Sequence, residues 1–370
     1  MNIGEFPEIL YLPQKTIFKK GASLNLCAES FEFGRRGLIV HGNSLNQSKN
    51  KEKILKQFPS LAKVDFFCRK SGEPTLDEIS EVIRKAKAIK AEWIVGVGGG
   101  SVLDLAKAAA GLYNARKKPV FYQEGGTLKE KGIPFIAVPT TCGSGAEVTP
   151  NSVITNSQKK TKLSIRDASF LARTVILDVE LLFGLTKTTL SYCAMDAFVQ
   201  AYESFTSRNS TWFSEGLSLK AIELINENII CAHERQTEEN LSALLLGSYL
   251  AGVAFSSSRL GIIHGIAHPL GVFYGLAHGL ICAVCFIPSI KVNKETMGKK
   301  YDIISKVLGV DFERRVEALL KTFGISSPFK NKELIEKEKI IKETLESGST
   351  AANPKKITRK DVESILSEIF

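Results

Sequence analysis

An α/β domain over residues 1–184 followed by an all-α domain over 185–370 is the architecture this chain predicts. Three observations predict it. Up to about residue 180, short apolar runs alternate with segments of helical spacing, the pattern of a parallel sheet covered by helices on both faces. After Asp178-Val-Glu-Leu-Leu-Phe-Gly-Leu-Thr the strand signals fade, and from Leu190 onward the pattern is almost entirely helical. The length, 370 residues, accords with two domains.

The first half reads element by element. Residues 8–18 are extended chain ending in a Lys19-Lys20-Gly21 turn. Arg36–His41 is a short apolar run, a buried strand that stops at Gly42-Asn43-Ser44. A polar stretch of helical spacing follows to about Phe58, and Val64–Phe67 is a second strand. Pro74-Thr-Leu-Asp-Glu opens a helix with proline in its first turn, and that helix runs to about Ile89.

Next, a strand beginning at Trp93 enters three glycines, Gly98, Gly99 and Gly100, and a helix leaves from Ser101. Ser101 and Asp104 have the spacing of a capping box. Glycines let a backbone approach a ligand closely. The helix start offers free N–H groups and the positive end of a dipole, which suits the pyrophosphate of a dinucleotide. The motif differs from the usual first-turn dinucleotide signature. Gly96 and Gly98 fit its opening, but Ser101 stands at the third glycine position, and the motif lies far along the chain. A further strand ends at Pro139. The loop after it, with Thr140, Thr141, Gly143, Ser144 and Gly145, offers hydroxyls and amides where ligands bind in open α/β sheets.

The second half is organised around histidine. Of five histidines in the chain, His264, His268 and His278 fall within fifteen positions. His264 and His268, four apart, share a helical face. Pro269, Gly271 and Gly275 are expected to break that helix and let a new segment return His278 to the other two. Neutral imidazole is the commonest side-chain metal ligand. Asp196, Gln200 and Glu203 share one side of an earlier helix among apolar neighbours. A carboxylate there is costly unless paired or metal-bound. Metal ligation is the favoured reading and a buried salt bridge the alternative. Residues 326–357 are the most polar segment, with an exposed helix over Glu333–Ser347, and Thr358 caps the last helix ahead of Asp361.

Composition excludes several classes. Hydrophobic content of 44% and charged content of 24% are ordinary for a soluble protein. No run of about 18 apolar residues exists, so no membrane span is expected. The N-terminus lacks the basic-then-apolar pattern of a signal peptide. The net charge of +10 comes from lysines that alternate with acids, apart from Lys355, Lys356, Arg359 and Lys360, so a solvated surface is expected rather than a nucleic-acid partner. The seven cysteines form no framework. Cys282 and Cys285 read as buried reduced thiols on a helix rather than a redox or zinc pair, and the cytoplasm is the expected compartment.

Taken together, these residues resemble the iron-containing (group III) alcohol dehydrogenases. The matches are Gly98-Gly-Gly-Ser-x-x-Asp104-x-x-Lys107, Pro139-Thr-Thr-x-Gly-Ser-Gly-x-Glu147-Val-Thr149, Met195-Asp-Ala, the His264–His278 stretch and Asn353-Pro354. They occur in family order and span nearly the whole chain. The resemblance implies a dehydroquinate synthase-like architecture, with an N-terminal dinucleotide-binding α/β domain and a helical metal-binding, catalytic domain, the metal lying in the cleft. It implies an alcohol dehydrogenase or aldehyde reductase using NAD or NADP and a divalent metal, Fe2+ or Zn2+, with a small alcohol or aldehyde as substrate. A homodimer is implied by resemblance alone.

Carried over by position, the metal ligands include Asp196, His264 and His278. His268 lies near the nicotinamide and the reacting carbon and relays the proton. Gly98, Gly99, Gly100 and Ser101 hold the pyrophosphate, with Asp104 in the same motif. Gly42, Thr140, Thr141 and Ser144 line the cofactor site, and Lys162 reaches the cofactor or substrate. One position departs: the family has His where this chain has Gln200, whose carbonyl oxygen is a weaker neutral donor, so a harder and looser site is expected. NAD-preferring members carry an acid after the strand placed at 36–41. This chain has His41-Gly42-Asn43-Ser44 there, so NADP(H) is the expected preference. Two alternatives stand beside this reading. One is the same fold acting on a sugar acid, polyol or phosphorylated substrate, as in dehydroquinate synthase and glycerol-phosphate dehydrogenases. The other is a lapsed metal- or nucleotide-binding homologue.

Overall fold

The computed structural model describes residues 6–370 apart from 44, 46–49, 60, 61 and 71. The expected strand stop at Ser44 and part of the polar helical stretch after it therefore lie outside the described residues. The chain forms two compact units. One comprises 11–141 and 146–183; the other comprises 184–370, the loop 142–145 and the described residues up to Leu10. A single boundary near 184 did not anticipate these two short pieces. Phe6 joins the helical unit through ring contacts with Trp212 and Phe213, at 5.8 and 5.4 Å between centroids. Ser144, expected with the first domain, belongs to the helical unit.

Eight strands are present among the described residues of the first unit: β1 (Lys15–Phe18), β2 (Arg36–His41), β3 (Lys63–Cys68), β4 (Trp93–Gly98), β5 (Phe135–Pro139), β6 (Asn151–Asn156), β7 (Thr161–Arg166) and β8 (Thr174–Leu177). Six form one parallel sheet in the order β1-β8-β5-β4-β2-β3. Continuous apolar runs in β2, β4, β5 and β8 are buried along nearly their whole length, as parallel strands covered on both faces require. Of the extended stretch expected at 8–18, only β1 joins the sheet. β6 and β7 form an antiparallel hairpin that the sequence reading missed.

The helices of this unit are α1 (Leu26–Phe31), α2 (Asn50–Leu55), α3 (Leu76–Ala88), α4 (Gly100–Gly111) and α5 (Pro119–Gln123). α3 is entered through a capping box of Thr75 and Glu78, so Pro74 stands outside the helix rather than in its first turn. α4 starts at Gly100 with Gly99 as N-cap and no side-chain cap. The expected Ser101–Asp104 box does not form, because the Asp104 carboxylate accepts the Val153 N–H at 3.2 Å and lies 3.3 Å from Lys107 Nζ.

The sheet order decides where a ligand would bind. The chain leaves β2 toward β3 on one side and leaves β4 toward β5 on the other. The helices that follow these two strands therefore diverge, and a crevice opens at the strands' carboxyl ends. Gly42, Gly98 and Thr140 stand at that edge, with His41 in register with Val97 and Gly98 with Pro139.

The helical unit contains α6 (Lys187–Thr206), α7 (Trp212–Glu234), α8 (Glu238–Ser258), α9 (Ile262–Tyr274), α10 (His278–Met297), α11 (Lys299–Leu308), α12 (Phe312–Thr322), α13 (Lys337–Glu346) and α14 (Arg359–Ile369). Phe198 and Tyr202 of α6, Phe286 of α10 and Phe312 of α12 form an aromatic cluster with centroids 5.2–6.4 Å apart. Each such pair contributes about 0.5–1.5 kcal/mol beyond its buried area. α8 is the one described helix long and apolar enough to cross a membrane by length and composition, and more than half of its apolar stretch is buried inside this fold. α9 runs through Pro269 and Gly271 and ends at Gly275, which adopts the left-handed conformation. The expected break at Pro269 is therefore absent; the helix tolerates the loss of one N–H because its apolar faces are buried on both sides of the proline. α13 starts at Lys337 rather than Glu333. Thr358 caps α14 through a capping box with Asp361.

Candidate functional site

Three helices converge on one point of the helical unit. α6 presents Asp196, Gln200 and Glu203, all buried. α9 is entered through Gly261, its N-cap, beside Glu203. Glu203 Oε1 accepts the Ile263 N–H at 2.6 Å, and Asn353 Oδ1 accepts the Ile262 N–H at 3.2 Å. These two oxygens satisfy the exposed amides at the positive end of α9. A β-carbon on Gly261 would fall 2.8 Å from Glu203 Oε1 and 2.9 Å from Asn353 Oδ1, so only glycine admits both. Asn353 is held in turn by Asn293, with its Nδ2 donating to Asn293 Oδ1 at 2.7 Å.

His264 follows one residue later. Its Nδ1–H donates to Glu203 Oε2 at 2.6 Å, which leaves Nε2 facing Asp196 Oδ1 at 3.4 Å. α10 begins with His278, whose Nε2 lies 3.8 Å from the same Asp196 oxygen and 3.6 Å from Cys282 Sγ, one turn on. Asp196, His264, His278 and Cys282 thus bring four donor atoms within 4.8 Å of one another.

The electrostatics fit a cation. Asp196 Oδ1, Gln200 Oε1 and His264 Nε2 are buried polar atoms with no hydrogen-bond partner among the described residues. Each unsatisfied atom costs about 1–3 kcal/mol, a cost that a divalent ion bound among them would remove. Burial pushes the His264 imidazole down, but its contacts with Asp196 and Glu203 outweigh this and raise it to about 9. Burial pushes the Asp196 carboxyl up, and the neighbouring His278 and His264 charges bring it below its ordinary range. The same acidic surroundings that raise His264 would favour a bound cation there.

His268 is outside the four-atom cluster. It is half-buried one turn beyond His264, its ring stacked on His278 at 5.6 Å between centroids and 26° between planes. Glu203 and Cys282 are the members that sequence reasoning underused. Spacing alone groups Glu203 with Asp196 and does not reveal its partner, His264. Cys282 is a free, buried thiol on a helix, as expected, and its i+4 spacing from His278 is the signal that could have placed it beside the cluster.

The first unit holds the other candidates except Ser144, which lies in the helical unit. At the end of β4, a β-carbon on Gly98 would lie 2.6 Å from the Val102 side chain, so the turn into α4 requires glycine. Thr140 N–H donates to Gly98 O at 3.0 Å and ties the two strand ends together. Thr141 stands beside Gly99: a β-carbon there would meet Thr141 Oγ1 at 3.2 Å. With no side chain capping α4, the amides of Gly100 and Ser101 at its start fit an anionic group. Gly42 follows β2, its carbonyl hydrogen-bonded to His41 Nδ1 at 3.0 Å.

Asp104 and Lys162 are engaged within the protein. Asp104 binds the hairpin through Val153, and Lys162 Nζ pairs with Glu73 Oε1 at 2.9 Å. Lys107, fully buried, donates to the carbonyls of Ala146 and Asn151 at 2.6 Å and lies 3.2 Å from Thr149 O. Its ammonium thereby organises the segment between β5 and β6.

Comparison with known proteins gives a consistent picture. Residues 13–179 match the family described as iron-containing alcohol dehydrogenase, and residues 191–370 match the C-terminal part of the Fe-containing alcohol dehydrogenase family. The chain is 32% identical over 299 residues to a sulfoacetaldehyde reductase of Bilophila wadsworthia, covering 74% of this chain and 77% of that protein. It is 30% identical over 311 residues to the lactaldehyde reductase of Escherichia coli K12, covering 78% and 80%. Its fold is that of the sulfoacetaldehyde reductase of Bifidobacterium kashiwanohense solved with NAD+, with a TM-score of 0.89 at 23% identity over 98% of each chain.

Proposed function

The chain belongs to the iron-containing alcohol dehydrogenase family, and we propose that it reduces a short aldehyde to its alcohol with NADPH as hydride source. It is an oxidoreductase acting on alcohols or aldehydes, with a nicotinamide dinucleotide and a metal as cofactors. The observation that carries the proposal is the convergence of Asp196, His264 and His278 from α6, α9 and α10 around buried atoms that lack partners. These three residues would hold a divalent ion, iron or zinc, with Gln200 Oε1 as a neutral oxygen donor beside them. When bound, such an ion is a Lewis acid toward the substrate oxygen. Hydride transfer is the chemistry of the nicotinamide.

The chain's own residues do the rest. Glu203 fixes the tautomer and orientation of His264. His268 holds, at a ring nitrogen, the proton that the product oxygen takes up in reduction and gives back in oxidation. Gly98, Gly99, Gly100 and Ser101 receive the pyrophosphate at the start of α4, and Thr140, Thr141 and Ser144 supply hydroxyls to the cofactor. Asp104 and Lys162, also expected at the cofactor site, are held in ion pairs with Lys107 and Glu73. The preference for NADPH rests on His41-Gly42-Asn43-Ser44 at the end of β2, where the sequence carries no carboxylate to repel a 2′-phosphate. The substrate class follows the named relatives: an aldehyde bearing a sulfonate or hydroxyl next to the carbonyl.

Metal analysis of the purified protein, joined to an absorbance screen of NADPH and NADH consumption with sulfoacetaldehyde, lactaldehyde and unsubstituted aldehydes, tests this. Stoichiometric metal and turnover of a substituted aldehyde, faster with NADPH, are expected. A protein that binds neither metal nor nicotinamide overturns the proposal, and equal or better turnover with NADH overturns the cofactor preference.

A further inference from the structure

We infer that Cys282 is a ligand of the metal and that its sulfur biases the site toward zinc over iron. This rests on the metal reading above and deepens it. Bonds of about 2.0–2.2 Å to nitrogen or oxygen and about 2.3 Å to sulfur set neighbouring corners of a tetrahedron roughly 3.3–3.6 Å apart. Three of the six donor separations here are at or within a few tenths of an ångström of that range. Asp196 Oδ1 lies 3.4 Å from His264 Nε2 and 3.8 Å from His278 Nε2, and Cys282 Sγ lies 3.6 Å from His278 Nε2. All four donors are mutually within 4.8 Å.

The placement follows from α10. His278 and Cys282 are four residues apart, so both point to the same side of the helix. Cys285, also buried, is not among the four donors. Gln200 offers only a neutral amide oxygen, a weaker donor than a thiolate for this class of ion, so Cys282 rather than Gln200 would be the fourth protein ligand, and the substrate oxygen would add beside these four. On binding, the Sγ–H proton leaves to solvent as the sulfur–metal bond forms. Thiolate and imidazole together suit zinc, whereas a set of oxygens and imidazoles is less selective.

The test uses full-length protein stripped of metal and reloaded. With cobalt(II), the wild type is expected to show intense near-ultraviolet thiolate-to-metal absorption. With zinc, X-ray absorption is expected to show one sulfur neighbour at about 2.3 Å. Cys282→Ser should lose both signatures and bind zinc at least about tenfold more weakly, and the margin of zinc over iron(II) should narrow by a similar factor. Cys285→Ser should keep both signatures. The wild-type spectra decide the matter even if a variant does not fold. Full metal occupancy with only nitrogen and oxygen neighbours overturns the role of Cys282 and leaves the metal reading intact. Failure to take up any metal overturns both.

Discussion

Glu203 and His264, sixty-one residues apart, are joined by a hydrogen bond of 2.6 Å from Nδ1 to Oε2, and this bond sets which imidazole nitrogen faces Asp196. The same carboxylate receives the Ile263 N–H, so one side chain both starts α9 and aims the ring that follows. Glu203→Gln keeps the volume and can still accept the backbone bond, but it loses the charge-assisted contact to the ring. Metal affinity should fall by about 10- to 100-fold, measured by competition with a chelator, with secondary structure unchanged. Unchanged affinity would show that the ring is oriented by packing alone.

The three histidines should separate by what they lose. His264→Ala and His278→Ala are expected to lose metal and aldehyde reduction together. His268→Ala should retain its metal and lose about 10²–10⁴ in rate, the range for a proton-transfer group. Metal content and turnover measured on the same preparations check this. Full activity in both ligand variants would refute the metal assignment.

Buried Glu147 makes stability depend on pH. Burial pushes its carboxyl from 4.5 up to about 7, a rise that the Lys107 charge opposes. The folded state therefore holds this proton over a range where the unfolded chain has released it. Its contribution is fully present below pH 4.5 and is lost as the pH rises through about 7. The loss amounts to up to about 3 kcal/mol. Thermal melts across that window should show Tm falling with pH, and Glu147→Gln should flatten the slope. An unaltered slope in the variant would exclude Glu147 as its source.

Lys107 should behave as an internal clamp. It is fully buried, faces the carbonyls of Ala146 and Asn151, and pairs with Asp104. Lys107→Met leaves those oxygens and the carboxylate without their cation and should cost about 3–5 kcal/mol in urea unfolding. A loss under about 1 kcal/mol would mean that the segment is held by its apolar contacts instead.

The end of β2 should govern the choice of cofactor. Asn43 Oδ1 accepts a weak hydrogen bond from Cys68 Sγ at 3.3 Å, and no acid stands beside it in the sequence. Asn43→Asp introduces a charge that repels a 2′-phosphate and accepts a ribose hydroxyl. The ratio of kcat/KM for NADH over NADPH should rise about tenfold or more, the equivalent of about 1.4 kcal/mol. An unmoved ratio would place the selecting contact elsewhere.

Much of this protein was legible from local chemistry. The apolar runs of β2, β4 and β5, the glycine turn after β4 and the Thr358 cap each depend on a few adjacent residues, and each appears where the sequence predicted it. The clustered histidines signalled a site for the same reason. Less legible was the β6–β7 hairpin, whose register depends on pairing across the turn. The continuity of α9 through Pro269 was also missed, because burial on both sides offsets a local penalty.

Residue spacing by itself determined which side chains share a face: Asp196 with Gln200 and Glu203, and His278 with Cys282. Only the tertiary structure decided which faces meet. The bond from His264 to Glu203, the approach of Cys282 to His278 and Asp196, and the engagement of Asp104 by Lys107 join atoms whose distances no sequence interval specifies. Helical periodicity fixes direction within one element, whereas the packing of α6, α9 and α10 fixes the distance between elements, and ligand chemistry depends on that distance.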